Sequence, residues 1–242
     1  MAPIEKIPEN LLNEFTQNGE IPVLYQYRND SSDEVQKEIN SKFIVDEFKR
    51  SLDRINKKQV NYYGDTDTWL YSALQDISIL NKDVCIIGST YPWYEAMALV
   101  YGARTITVIE YSDRKSFHKS ITYLKPSEVG NAQFDACFSI SSYEHDGLGR
   151  YGDPINPNGD IEAMNSVKSI IKKNGVMFLS VPIGKDCICF NVHRIYGEKR
   201  FYRLIQNWKP LNTYGFRDDS FELEFNSTWG TPYQPIITLE NT

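Results

Sequence analysis

Histidine is scarce in this chain, with His118, His145 and His193 the three among 242 residues. The four cysteines, at 85, 137, 187 and 189, form no CxxC pair. Cys85 and Cys137 sit inside the apolar runs "VCII" and "ACFSI", and Cys187 and Cys189 share one side of a strand-like "DCICF". All four read as structural thiols, and no ligand pair has a metal-site spacing. Basic residues are outnumbered, 26 Lys and Arg against 32 Asp and Glu, for a net charge of −6. Without a basic stripe, such a chain is poorly suited to holding nucleic-acid phosphates. No apolar run approaches membrane-spanning length, and Glu5, Lys6 and Glu9 interrupt the N-terminus where a secretory leader keeps its apolar core. These absences point to a soluble cytoplasmic protein whose partner is a small molecule, with no nucleic acid and no membrane involved.

Aromatic residues are plentiful: 16 Tyr, 12 Phe and 4 Trp, within a composition that is 41% hydrophobic. That supplies core for one α/β domain and an extra segment, whereas two full domains would be cramped. Residues 8–60 read as helical. Val35, Ile39, Phe43, Ile44, Phe48, Leu52 and Ile55 draw one apolar stripe that Ser31 to Glu34 could cap. The expected division is a helical extension over 1–60, packed on a core domain over 61–242.

From there strand and helix patterns alternate. A helix is expected after Gly64–Asp65. "DVCIIG", "TITVIE", "SITYL", "FDACFSIS" and "VMFLSVP" read as five strands. Expected helices cover Tyr94 to Tyr101, a short polar stretch after Glu110, Asp160 to Lys172 (stopped by Asn174–Gly175) and "GEKRFYRLIQNW". "FELEF" and "PIITLE" suggest two closing strands. This order predicts an open, mostly parallel sheet with helices on both faces. Ligands in such sheets bind beyond the carboxyl ends of the strands.

Glu110 ends the second strand, 22 positions after Gly88, where a carboxylate can accept hydrogen bonds from the hydroxyls of an adenosine ribose. A dinucleotide also needs backbone N–H groups around its pyrophosphate. The loop "GSTYPW" offers one glycine, a proline without N–H, and two bulky aromatics. S-adenosylmethionine carries the same adenosine without phosphate. Gly88, the Ser89 and Thr90 hydroxyls, and Glu95 for the ammonium meet its requirements, with Ser142 at the end of the fourth strand. The long loop that follows begins with Glu144, His145 and Asp146. His145 is the candidate base for deprotonating a hydroxyl, with Asp146 or Asp153 as its orienting partner or as the alternative base. His193 and Arg194, after the fifth strand, are candidates for gripping substrate. His118 receives no role.

The stretch "FDACFSISSYEHDGLGRYGDP…GDIEAMNSVKSIIKKNGVMFLSVPIG" resembles the second half of class I S-adenosylmethionine-dependent methyltransferases. More closely, "GSTYPWYEAMALVYGARTITVIEY", "SYEHDGLGRYGDP" and "NVHRIYG…W" are similar to domain-of-unknown-function family 268 of nematode and bacterial proteins, over about Tyr62 to Trp208. The resemblance implies a Rossmann-like methyltransferase fold, with Gly88 as the surviving glycine of the first motif and Glu110 as the ribose acid. It departs from the pattern in lacking Gly-x-Gly and an acid after the third strand. The leading expectation is O-methylation of a small hydroxylated molecule, with sugars and polysaccharide precursors among the acceptors that the bacterial relatives suggest. The alternatives are a nicotinamide-dependent oxidoreductase or epimerase, which would lack a Tyr-x-x-x-Lys pair and leave Tyr63 and Tyr143 as its candidates, and a non-catalytic nucleoside-binding module.

Overall fold

A computed structural model describes residues 3–30, 43–111, 114–225 and 232–242. The core is a seven-stranded sheet ordered β4-β3-β2-β5-β6-β10-β9. Its members are β2 (Asp83–Ile87), β3 (Thr105–Ile109), β4 (Ile121–Leu124), β5 (Phe134–Ile140), β6 (Ile171–Ser180), β9 (Lys209–Tyr214) and β10 (Ile236–Glu240). Strands β2 to β6 run parallel, and β10 pairs antiparallel with both β6 and β9.

Strand alternation sorts the core into two layers. Val84, Ile86, Phe138 and Phe178 face one side. There they meet α2 (Phe43–Asn56), α3 (Asp65–Asp76) and α4 (Trp93–Val100) through Phe48, Ile55, Leu70 and Met97. Cys85, Cys137, Met177 and Leu179 face the other side, against Met164 of α5 (Gly159–Lys168) and Leu204 of α6 (Glu198–Ile205). Strand order reverses between β2 and β5, so their carboxyl ends splay apart and open a crevice.

Several expected elements differ. The stretch 8–60 is not wholly helical: after α1 (Glu9–Phe15) the chain forms β1 (Val23–Tyr25), which pairs in parallel with β7 (Cys187–Phe190). Together with β8 (His193–Ile195) these make a second, three-stranded sheet. Phe15, Ile21, Leu148 and Phe190 build a small core of their own beneath it. The Ser31–Glu34 cap and the stripe positions Val35 and Ile39 lie outside the described residues; Ile44, Phe48 and Ile55 of that stripe are buried.

Residues 114–120 form no helix. Helix α5 stops at Lys168, and Asn174–Gly175 lies inside β6. Asn174 takes φ 63° there, and its N–H bonds to the Asn241 carbonyl at 2.7 Å. The turn-forming pair thus serves a strand irregularity rather than a helix stop. "FELEF" forms no strand; Ser220–Glu222 is a 3-10 turn that seats Phe221 on the core, and the strand paired with β10 is Lys209–Tyr214. Periodicity could not foresee this, because β9 is exposed at most positions and carries little apolar signal. Among the described residues, no helix is long and apolar enough to cross a membrane.

Candidate active site

Strand β2 is followed by Gly88, whose φ is 60° and whose N–H bonds to the Ile109 carbonyl at 3.0 Å. A Cβ at this position would lie 2.6 Å from Ser142 Oγ and 3.3 Å from Ser142 Cβ. The left-handed backbone and the close approach of the β5 end together demand glycine. Gly88→Ala is expected to destabilise the fold by about 1–2 kcal/mol, the scale of a left-handed conformation for an L-residue, and to push Ser142 aside. A denaturant melt reads the first effect, and an unchanged midpoint would refute the strain argument.

Past Gly88 the loop is fastened internally. Ser89 Oγ lies 3.0 Å from the Tyr91 carbonyl and 2.9 Å from Glu95 Oε2, while the Tyr123 hydroxyl lies 3.3 Å from Glu95 Oε1. Ser89 has one proton to donate. A protonated Glu95 satisfies both contacts, donating to Ser89 while Ser89 donates to Tyr91. Burial pushes the Glu95 carboxyl up to about 7, which agrees with that assignment. Glu95 therefore braces the loop from behind and lines neither of the hollows described next, which differs from the ammonium-binding position expected for it.

Two adjoining hollows open over the crevice. One, of about 460 Å³, lies over the ends of β2, β3 and β5, between Ile87, Ile109, Pro126 and Val129, with Glu110 and Ser142 at its polar side. The other, of about 820 Å³, extends toward Gln26, Arg28, Tyr63, Trp93, His193 and Gln234. Gly88, Thr90, Glu110, Ser141, His145 and Tyr151 border both, so the two form one continuous cleft. Each volume falls in the range of about 300–1,000 Å³ typical of small-molecule sites. Ser89 lines the larger hollow, and Asp146 and Asp153 line the smaller one.

At the end of β5, Ser141 has φ 55°, an uncommon backbone for a serine. Its hydroxyl donates to Glu144 Oε1. The side chain of Gln234 donates to Ser141 Oγ at 3.3 Å. Glu144, 1% exposed, has its carboxyl pushed up to about 7 by burial, against the lowering effects of Ser141, Arg150 and Arg194. His145 Nδ1 lies 2.7 Å from the Val192 carbonyl, which assigns the proton to Nδ1 and leaves Nε2 as the lone-pair nitrogen, 3.7 Å from Glu144 Oε1. Burial first, then the Arg150 charge, hold His145 well below the usual histidine range. Burial, Arg150 and Arg28 lower His193 to about 4. Both imidazoles are therefore neutral near pH 7.

Neither expected orienting acid touches His145. Asp153 Oδ2 accepts from Gly147 and Gly149 N–H at 2.8 and 3.0 Å, stapling the loop. Asp146 is raised by burial and by the Asp153 charge, and its carbonyl accepts from Arg194 at 2.5 Å. Arg194, expected to hold substrate, is 1% exposed and lies behind the loop, donating also to the Asn156 carbonyl at 3.3 Å. It clamps the loop rather than facing the cleft. Ser141, Arg150, Tyr151 and Gln234 border the cleft without having been singled out, and Tyr63 and Glu144 border it as well. Glu144 was legible as the neighbour of His145 at a strand end; Gln234 arrives from distant sequence and left no local signal. Among the described residues, no group of three His, Cys, Asp or Glu side chains is arranged to hold a metal ion.

The chain is similar in structure to a Burkholderia thailandensis 1,6-didemethyltoxoflavin-N1-methyltransferase solved with 1,6-didemethyltoxoflavin and S-adenosylhomocysteine bound. The TM-score is 0.54 at 13% identity, covering 85% of this chain and 88% of that one. A second similarity is to a chain from a complex between the Haloferax volcanii Trm112 methyltransferase activator and the putative methyltransferase. There the TM-score is 0.50 at 10% identity, with 82% and 97% covered. At such identities the likeness is one of fold, and the fold is that of Rossmann-like methyltransferases. No curated protein matches the chain in sequence. A family model matches residues 81–231, starting later and ending later than the span expected from the motifs. The chain thus belongs to the family described as Caenorhabditis protein of unknown function, DUF268.

Proposed function

We propose that this chain is an S-adenosylmethionine-dependent methyltransferase that methylates an oxygen of a small hydroxylated molecule. The observation that carries the reading is the position of Glu110, at the rim of an adenosine-sized hollow beside Gly88, in a cleft that continues to Glu144 and His145. Glu110 would accept from the ribose hydroxyls, and the apolar walls of Ile87, Ile109, Pro126 and Val129 would sandwich the base. The bound cofactor supplies an electrophilic methyl on a sulfonium. The larger hollow, next to Thr90 and Tyr151, would hold the acceptor.

The β2–α4 loop favours this cofactor over a dinucleotide. The Trp93 N–H already bonds to the Tyr91 carbonyl at 2.8 Å, Pro92 has no N–H, and the buried Glu95 carboxyl stands behind the turn. Neither Pro92 nor Trp93 can therefore offer an N–H to a pyrophosphate at the start of α4. The bound S-adenosylhomocysteine of the Burkholderia protein belongs to the same fold and lends the reading support.

Calorimetric titration with S-adenosylmethionine, S-adenosylhomocysteine and NAD tests it. Binding of the first two and not of NAD is expected. NAD binding alone would favour an oxidoreductase, and no binding would favour a non-catalytic module. Glu110→Ala should weaken S-adenosylhomocysteine by at least ~1.5 kcal/mol, the scale of hydrogen bonds to a charged group, which is roughly tenfold or more. Unchanged affinity would reject the role given to Glu110.

A further inference from the structure

Burying a polar atom without a partner is costly, so such atoms in a cleft wall indicate what a ligand must bring. Five residues lining the larger hollow carry a buried side-chain atom with no hydrogen-bond partner among the described residues: the acceptors Glu144 Oε2, His193 Nε2 and Gln234 Oε1, and the donors Trp93 Nε1 and Arg114 Nε. The first three can accept. In the ionised form, which the Ser141 hydroxyl favours by donating to Oε1, the Glu144 carboxylate has nothing to donate; a neutral imidazole can present a bare nitrogen, and Gln234 uses its NH₂ on Ser141. Three acceptors together with two donors suit a ligand rich in hydroxyl groups, each of which can both donate and accept.

Glu144 is the most constrained of the three. Its Oε1 is fixed by the Ser141 hydroxyl, whose own oxygen is held by Gln234, and the 3-10 turn Tyr143–His145 presents the side chain directly off the end of β5. We propose that Glu144 Oε2 is the proton acceptor for the reacting hydroxyl of a hydroxyl-rich acceptor molecule, a catalytic role distinct from the one expected for its neighbour His145. This rests on the methyltransferase reading above. In the step, the acceptor O–H proton passes to Glu144 Oε2. The acceptor oxygen uses its electron pair to form the new C–O bond to the methyl carbon, at the expense of the S–C bond, whose pair stays on sulfur to leave a neutral thioether.

The electrostatics agree. Glu144 faces the guanidinium groups of Arg150 and Arg194, the neutral His145, Asp146 and the hydroxyls of Tyr63 and Tyr151. A carboxyl near 7 in this setting both takes and releases a proton at physiological pH. His145 is worse placed, because protonating it would set a third cation beside Arg150 and Arg194.

The test uses Glu144→Gln, which keeps shape and removes the basic oxygen. S-adenosylhomocysteine titration should give affinities within about threefold of the unsubstituted protein. If neither protein binds that ligand, the methyltransferase reading fails, independently of this proposal. Carboxyl ¹³C NMR of Glu-labelled protein should show two resonances titrating near pH 7, those of Glu95 and Glu144, and one of the two should be missing from the variant. Transfer from methyl-labelled S-adenosylmethionine to a panel of glucose, inositol and catechol should occur. It should fall by roughly 10²–10⁴ in Glu144→Gln, with loss of the acid limb of the pH profile. A Gln variant that retains turnover with its acid limb intact overturns the proposal. So does a protein that binds S-adenosylhomocysteine yet methylates no member of the panel.

Discussion

Replacing Asp160 by Asn should cost about 3–5 kcal/mol of folding stability, the range for breaking one partner out of a buried ion pair. Asp160 is fully buried at the start of α5. Its Oδ1 accepts from Arg200 Nη2 at 2.6 Å, and its Oδ2 accepts from Arg200 Nε and the Tyr196 hydroxyl, both at 3.0 Å. Arg194 Nε stands 3.9 Å away. Burial would raise this carboxyl, but the two guanidinium groups outweigh it and hold Asp160 below the ordinary aspartate range. Asparagine keeps the volume and leaves two buried cations facing a neutral amide. The damage should spread to the cleft, because Arg194 also fastens the loop carrying Asp146. Urea denaturation measures it, with Asp53→Ala as the control. Asp53 meets Lys57 across two exposed side chains, so that change should fall within about 0.5 kcal/mol. A loss under about 1 kcal/mol for Asp160→Asn would show that the pair is not what anchors the loop.

The second large effect is a pH-dependent stability difference between the protein and its Glu95→Gln variant. The folded carboxyl of Glu95 is raised from 4.5 to about 7 by burial. In the sign of the linkage, the folded state holds its proton more tightly than the unfolded chain. The contribution is therefore fully present below about 4.5 and lost as pH rises through about 7. The size is about 3 kcal/mol at 1.36 kcal/mol per pKa unit. Glutamine does not titrate, so the variant should gain on the parent by about that amount between pH 4.5 and 8. The difference is the quantity to measure, because the parent's own profile mixes opposing groups. Glu144 behaves like Glu95, whereas His145 and His193, both lowered, add stability as pH rises toward their unfolded value. A difference that is flat with pH would mean that Glu95 is ionised when folded, and the hydrogen-bond assignment at Ser89 would fall with it.

Legibility in the sequence followed the range of the interactions. β2 and β5 announce themselves because they are buried on both faces, and a strand covered on both sides must be apolar throughout. β9 does not, since it is an exposed edge strand whose place is decided by pairing with β10. β1 was hidden for a related reason: its three residues are ordered by the ladder to β7, some 165 positions away, rather than by their own pattern.

At the site, Gly88 and Glu110 could be read from spacing alone. Each follows a buried strand, and parallel neighbours place successive carboxyl ends side by side. Arg194 could not, since the sequence "HRI" says nothing about which side of a short strand meets the loop, and burial against Asp160 turned it inward. The choice between Glu144 and His145 was equally closed to the sequence. Two adjacent residues offer the same chemistry on paper. Desolvation and the charges of Arg150 and Arg194, which depend on the packed environment, raise one group and depress the other.

The amino-acid order by itself determined the strand–helix succession, the glycine turn and the acid one strand beyond it, because those depend on local periodicity and on the directions strands impose. Tertiary structure alone decided which polar groups face the cleft and in what protonation state, because desolvation and long-range charge exist only once distant segments have packed together.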